Sequence, residues 1–241
     1  MNTPLLSLRG VHTHIGAYHI LHGVDLTVPK GQLTLLLGRN GAGKTTTLRT
    51  IMGLWRASAG TIQWDGKDIT QARTPDIARL NIAYVPENMG IFPDLSVSEN
   101  MLLAARHAAR VSDIDARRLE WVFELFPAVK QFWKHPAGKL SGGQKQMVAV
   151  ARAIIEPRDL LIVDEPSKGL APAIVHNMID AFSRLKQSGV TILLVEQNLH
   201  FARQLGDTVA IMDQGRVVHA GRMQALIDNP DLQRQLLGLA L

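Results

Sequence analysis

The chain has 241 residues, of which 46% are hydrophobic, enough to bury one large domain or a core carrying a smaller insert. It contains no cysteine, which excludes disulfides and cysteine-ligated zinc or iron–sulfur centres and fits a reducing cytosol. The formal charge is +5, but the basic residues are scattered rather than gathered into Lys/Arg tracts interleaved with aromatics, so no nucleic-acid partner is expected.

The start, Met1 to Arg9, lacks the cationic and apolar regions of a secretion signal. No run approaches the roughly 18 apolar residues of a membrane span, so the chain is expected to stay in the cytosol. Leu5 to Val28 shows short runs with partial alternation, as in Val24-Asp-Leu-Thr-Val28. Together with Gly60 to Ile69 and the hairpin signal Asp65-Gly66, it predicts a small antiparallel sheet. His12, His14, His19 and His22 fall in the first of these segments at spacings that suit alternating strand faces, without an acidic partner. A metal site is not expected there.

Five branched-rich apolar runs predict buried strands of a parallel sheet: Leu33 to Leu37, Ile82 to Val85, Leu160 to Val163, Thr191 to Val195 and Thr208 to Met212. Helical stretches separate several of them, which argues an α/β core with crossover connections. Between Ser96 and Pro157 the pattern is helical. Ser96-Val-Ser-Glu99 is a capping box, and Leu119, Val122, Phe123 and Phe126 share one helical face before Pro127. Trp121, Phe123 and Phe126 are expected in the core. The division implied is a single domain, 1–241, in which 1–87 and 158–241 form the core with its antiparallel subdomain and 88–157 a helical subdomain.

Directly after the run Leu33 to Leu37 stands Gly38-Arg39-Asn40-Gly41-Ala42-Gly43-Lys44-Thr45, followed by Thr46, a complete P-loop pattern. Its glycines let backbone N–H groups curl around a polyphosphate, and the following helix turns its positive end on the same anion. Lys44 supplies a point charge for the β and γ phosphates, and the Thr45 hydroxyl can ligate Mg²⁺. Asp164 and Glu165 follow the Leu160 run, at the strand end where open α/β sheets place ligands. Asp164 fits the carboxylate associated with Mg²⁺, and Glu165 can polarise a water for in-line attack on the γ phosphate.

Leu140-Ser141-Gly142-Gly143-Gln144 lies 20 residues before Asp164 and opens a predicted helix. Ser141 can cap it, and the glycines expose backbone donors to an anion. Two phosphate-binding helix ends and one nucleotide suggest a dimer.

With these motifs in this order the chain resembles the ABC transporter ATPases over essentially its whole length. The resemblance implies a P-loop NTPase, RecA-like core with an antiparallel β subdomain and a helical insert. It further implies a head-to-tail dimer in which the P-loop of one subunit and Ser141, Gly142, Gly143 and Gln144 of the other clasp each ATP. Val85-Pro-Glu87, Ile91-Phe-Pro-Asp-Leu95, Ser167-Lys-Gly-Leu-Ala-Pro172 and Leu194-Val-Glu-Gln197-Asn198 look like the second ATPase of branched-chain amino acid uptake systems, and urea and amide uptake ATPases are similar. The implied cofactors are ATP and Mg²⁺. The implied partners are a second ATPase subunit, two integral membrane permeases and, indirectly through them, a solute-binding protein, with this chain peripheral at the cytoplasmic face of the inner membrane. A soluble ABC ATPase acting on nucleic acid or ribosomes is the competing reading, but the chain has neither two ATPase halves nor long coiled coils.

Three positions depart from the broad ABC pattern. Glu87 stands where the family usually carries Gln, as in the branched-chain subgroup, and can reach Mg²⁺ or the attacking water. Gln197 stands at the switch position usually held by His, and can hydrogen-bond a γ phosphate without carrying a proton. Ile15 aligns with the aromatic that stacks on adenine. Tyr18, three residues along, is either its substitute or ordinary packing.

Overall fold

A computed structural model describes residues 4–237, so the ends of the 1–241 domain reading, including Met1 in the segment judged for a secretion signal, lie outside the described residues. Strands β1 (Leu6–Ile15) and β2 (Tyr18–Val28) form an antiparallel hairpin, followed by β3 (Leu33–Gly38), helix α1 (Lys44–Ile51), β4 (Ala57–Trp64) and β5 (Lys67–Asp68). The predicted antiparallel sheet is present in the order β2-β1-β4-β5, and β4 turns into β5 at Asp65-Gly66 with both residues at positive φ.

There follow α2 (Thr74–Ala78), β6 (Ile82–Val85), α3 (Val97–Leu102), α4 (Ala116–Leu125), α5 (Pro127–Gln131), α6 (Gly142–Ala153), β7 (Leu160–Asp164) and α7 (Pro172–Gln187). The chain closes with β8 (Thr191–Glu196), α8 (Leu199–Leu205), β9 (Thr208–Asp213), β10 (Arg216–Arg222), α9 (Met223–Ile227) and α10 (Pro230–Leu237). All five apolar runs are parallel strands of one sheet, ordered β10-β9-β3-β8-β7-β6. The sixth strand, β10, pairs antiparallel with β9 across the turn Gln214-Gly215. Its mostly exposed or half-buried residues carry no apolar run, which is why the sequence pattern missed it.

Alternation within the sheet divides the interior. Leu35 and Leu37 of β3 join a core with α3 to α8, whereas Leu36 joins a second core with α1 and the antiparallel sheet. The P-loop strand is thus gripped on both faces. In the helical segment the Ser96 capping box forms in full, and α4 stops at Leu125 because Pro127 opens α5. Val122 and Phe126 are fully buried, while Leu119, Trp121 and Phe123 are half-buried at the edge of that core.

The histidines are not distributed over two faces. His12 pairs with His22 and His14 with His19, with register shifts along the hairpin, and all four rings gather on one side. His12 Nδ1 lies 3.0 Å from His19 Nε2, and the His14 and His19 rings stack at 4.1 Å. Even so, among the described residues no group of three ligands is arranged to hold a metal ion.

Candidate functional site

The P-loop joins β3 to α1. Gly38 passes so close to β9 that a Cβ there would stand 2.4 Å from the Met212 carbonyl oxygen. Gly43, the N-cap of α1, has φ 103, and no side chain among the described residues caps the helix. Its first N–H groups therefore face the loop's concavity without a side-chain acceptor, the arrangement that receives an anion. The Lys44 ammonium is buried and donates to the Gly38 and Arg39 carbonyls at 2.8 and 3.1 Å. Thr45 and Thr46 are half-buried on the first turn, and Arg39, Asn40 and Gly41 are exposed at the rim.

Asp164 and Glu165 end β7 beside this loop. Asp164 is fully buried, and among the described residues neither of its carboxylate oxygens has a hydrogen bond of normal geometry. Burial pushes its pKa up to about 6, with the charges of Glu165 and Glu87 adding to the rise and the Thr45 hydroxyl and Lys44 opposing it. A buried carboxylate without a partner, close to a P-loop hydroxyl, fits a divalent cation held between Asp164 and Thr45. Tyr84 of β6 has its phenol pushed up to about 12 by burial and then by the charge of Asp164, so the acid sits in dry surroundings.

Glu165 adopts φ 49, the left-handed region that costs a non-glycine residue about 1 kcal/mol or more. Its carboxylate accepts from Gln197 Nε2 at 2.5 Å, lies 3.4 Å from Lys44 Nζ and 3.5 Å from Lys168 Nζ. Gln197 Nε2 also donates to Asn40 Oδ1 at 2.7 Å, so the switch position ties the acid to the P-loop rim. Glu87 is brought to the same end of the sheet by β6 and meets Lys168 Nζ at 2.5 Å. The Lys168 ammonium is held above its ordinary value by that bond and then by the charge of Glu165.

Two of the residues that organise this cluster were not anticipated. Buried Glu196 accepts from the Ser167 N–H and hydroxyl, both at 2.9 Å, and from the N–H groups of Gln197 and Asn198. Burial raises its pKa and these four bonds oppose the rise. Arg152 of α6 donates to the carbonyls of Gly90 and Met89, tying the loop after Glu87 to the second glycine-rich helix. No sequence pattern marks either residue, since a carboxylate at a strand end and an arginine in a helix are commonplace.

At α6 the predicted cap forms as a full box: Gln144 N–H donates to Ser141 Oγ at 3.3 Å and Ser141 N–H to Gln144 Oε1 at 2.8 Å. Ser141 and Gly142 are exposed, whereas Gly143 is buried against Ile174 of α7, where a Cβ would stand only 2.7 Å from that side chain. Among the described residues no hydrogen bond or ion pair links 140–144 to 38–46. Ile15 and Tyr18 are direct partners across the hairpin end, and Tyr18 is 76% exposed, which removes core packing as its explanation.

The sequence profile of the ABC transporter family matches residues 21–168, from β2 through the P-loop and the α6 motif to the acid pair. This chain belongs to the ABC transporter family. The ATPase is 37% identical to the high-affinity branched-chain amino acid transport ATP-binding protein BraG of Pseudomonas aeruginosa, over 97% of this chain and all of that protein. It is 35% identical to the Nod factor export ATP-binding protein I of Ralstonia nicotianae, over 94% of this chain and 70% of that one. A solved ATP-binding subunit of an ABC transporter superposes with a TM-score of 0.78 at 28% identity, covering 98% of this chain and 95% of that one. The chain is thus an ABC ATPase that binds and hydrolyses ATP, and no helix among the described residues is long and apolar enough to cross a membrane.

Proposed function

We propose that this ABC ATPase powers the import of branched-chain amino acids or of a related amino acid or amide, from the cytoplasmic face of the inner membrane. The observation that supports the solute class is the 37% identity to the branched-chain protein over nearly the whole of both chains, above the 32% to a glutamate transport ATP-binding protein of equal span. The urea and amide readings are the alternatives.

The site supports a shared-nucleotide mechanism. Lys44 swings from the loop carbonyls to the β and γ phosphates, which the uncapped α1 N–H groups and the backbone of residues 38–46 cradle. Asp164 and Thr45, with Glu87, are the residues that would hold Mg²⁺, and when bound it would supply neutralisation of phosphate charge. Glu165 orients a water for in-line attack and takes its proton, while Gln197 keeps the carboxylate aimed and senses the γ phosphate. Tyr18 replaces Ile15 as the aromatic that stacks on adenine, because the register puts the two side chains on one face of the hairpin end. Ser141 to Gln144 of a second copy or sister subunit close over the γ phosphate. Residues 88–157 serve as a helical subdomain that carries α3 to α6.

In the dimer, the groove of about 1020 Å³ on each subunit, lined by Arg106, Asp115, Arg118, Trp121, Glu156 and Arg158 between the helical segment and the sheet edge, receives one of the two permeases. The test is reconstitution with a cognate permease pair and solute-binding protein in vesicles. ATP hydrolysis is expected to rise with leucine, isoleucine or valine and to ignore urea; the reverse pattern assigns the chain to the urea and amide group.

A further inference from the structure

Lys168 is a cation that the phosphate site itself does not require. It sits on the exposed turn after β7, yet the turn is pinned on both sides. Glu196 clamps Ser167 through its N–H and its hydroxyl, and the Lys168 N–H donates to the Glu165 carbonyl at 3.2 Å. From this fixed base the ammonium reaches Glu87 Oε1 at 2.5 Å and Glu165 Oε2 at 3.5 Å. The other oxygen of Glu165 faces Lys44 at 3.4 Å, but Lys44 is the point charge that phosphate claims. Three carboxylates, Glu87, Asp164 and Glu165, thus converge on one end of the sheet with two ammonium groups among them. A neutral Gln at position 87 would leave only the acid pair, whereas Glu87 adds a like charge beside the acid that must remain free for water. Glu165 is shielded from water while Glu87 is 45% exposed, so their repulsion acts on the orientation of the Glu165 carboxylate rather than on the stability of the fold.

We propose that Lys168 is a positioning residue for hydrolysis: it neutralises Glu87 and prevents that carboxylate from displacing Glu165. The inference rests on the assignment of Glu165 as the group that activates water. Lys168 itself touches neither nucleotide nor water in this scheme, and its effect passes entirely through the pair of acids it bridges. A pair this exposed contributes little to stability, so its consequence belongs to turnover rather than to folding.

The test is a double-mutant cycle in the full chain, with steady-state ATP hydrolysis measured for the parent, Lys168→Ala, Glu87→Gln and the double variant, and with Lys168→Arg as the conservative replacement. Lys168→Ala is expected to lower kcat about tenfold while KM for ATP stays within about twofold of the parent. In the Glu87→Gln background the same change is expected to alter kcat by less than about twofold, because the repulsion it would release is already gone. Lys168→Arg keeps the charge and is expected to restore most of the rate. Thermal unfolding within a few degrees of the parent confirms that each variant folds. Equal losses in both backgrounds, a parent-like or raised kcat for Lys168→Ala, or failure of Lys168→Arg to rescue overturns the proposal. Glu165→Gln assayed alongside separates the two levels. If it still turns over, the assignment of Glu165 fails and the proposal falls with it; if it is inactive while the cycle is additive, only the role of Lys168 falls.

Discussion

The two glycine-rich helix starts, at α1 and at α6, are built from similar residues and solve opposite problems. At α1 the N-cap is Gly43 in the left-handed region and no side chain accepts from the first turn, so the orphan donors remain available to phosphate. At α6 Ser141 and Gln144 complete a capping box, and Gly143 is a packing glycine against Ile174. One end depends on a ligand to satisfy its donors, and the other is finished without one. A helix end that is stable by itself, exposed at Ser141 and Gly142, and unconnected to the P-loop of its own chain suits a surface offered to another subunit.

The largest expected effect follows from that contrast. Lys44→Ala should weaken ATP binding by roughly 10- to 100-fold, the equivalent of losing a charge-assisted contact of about 1.5–3 kcal/mol. Ser141→Arg should leave nucleotide binding to the isolated chain within about twofold yet abolish hydrolysis, since in the proposed shared site the bulk and charge fall on the partner's nucleotide. Mixing the two variants creates one site with both lesions and one with neither, so hydrolysis should return in the mixed dimers. Fluorescent-nucleotide titration and a mixing assay check both arms, and a Ser141→Arg chain that cannot bind nucleotide breaks the distinction between the two helix ends.

Asp164 sharpens the comparison by showing what the ligand-dependent end costs. Its folded pKa of about 6 lies above the ordinary 3.8, so the folded chain holds the extra proton between those values. Stability therefore falls as pH rises through that window, and the full burden is present above about pH 6. In metal-free protein at pH 8, Asp164→Asn should be more stable by up to about 3 kcal/mol, a gain that vanishes below about pH 4. Mg²⁺ with ATP should stabilise the parent and not the variant. Calorimetry at two pH values, with and without the metal nucleotide, reads all four conditions; equal melting temperatures at pH 8 would contradict a buried unpaired carboxylate.

The smallest effect belongs to the finished end. Ser141→Ala removes the cap and should cost about 1 kcal/mol, or roughly 2–4 °C in Tm, without changing ATP affinity of the isolated chain. A larger loss of affinity than of stability would mean that α6 serves the site of its own chain.

Much of this architecture was legible beforehand, and the reasons are local. The five parallel strands are buried on both faces and so read as unbroken apolar runs; the hairpin at Asp65-Gly66 and the caps at Ser96 and Ser141 are decided within a few residues. The P-loop is a contiguous nine-residue segment, Gly38 to Thr46, in which the backbone donors, the Lys44 ammonium and the Thr45 hydroxyl all lie within one stretch of chain. Strand β10 escaped because an exposed edge strand needs no apolar pattern, and the histidine cluster because register shifts, which spacing alone does not reveal, turned its rings to one side.

What the sequence determined by itself was therefore the menu of parts: which segments are strands, where an anion is cradled, which acids stand at a strand end, and to which family the motif order points. What only the tertiary structure decided was their company. Gln197 meets Asn40 from 157 positions away, Lys168 meets Glu87 across 81, and Ser167 is held by Glu196 across 29. Each is a side-chain contact between loops that lie at one end of the sheet only because parallel strands place their carboxyl ends together. Electrostatics acts through space rather than along the chain, so the charge balance around Glu165, and with it the place of Lys168, is a property of the fold.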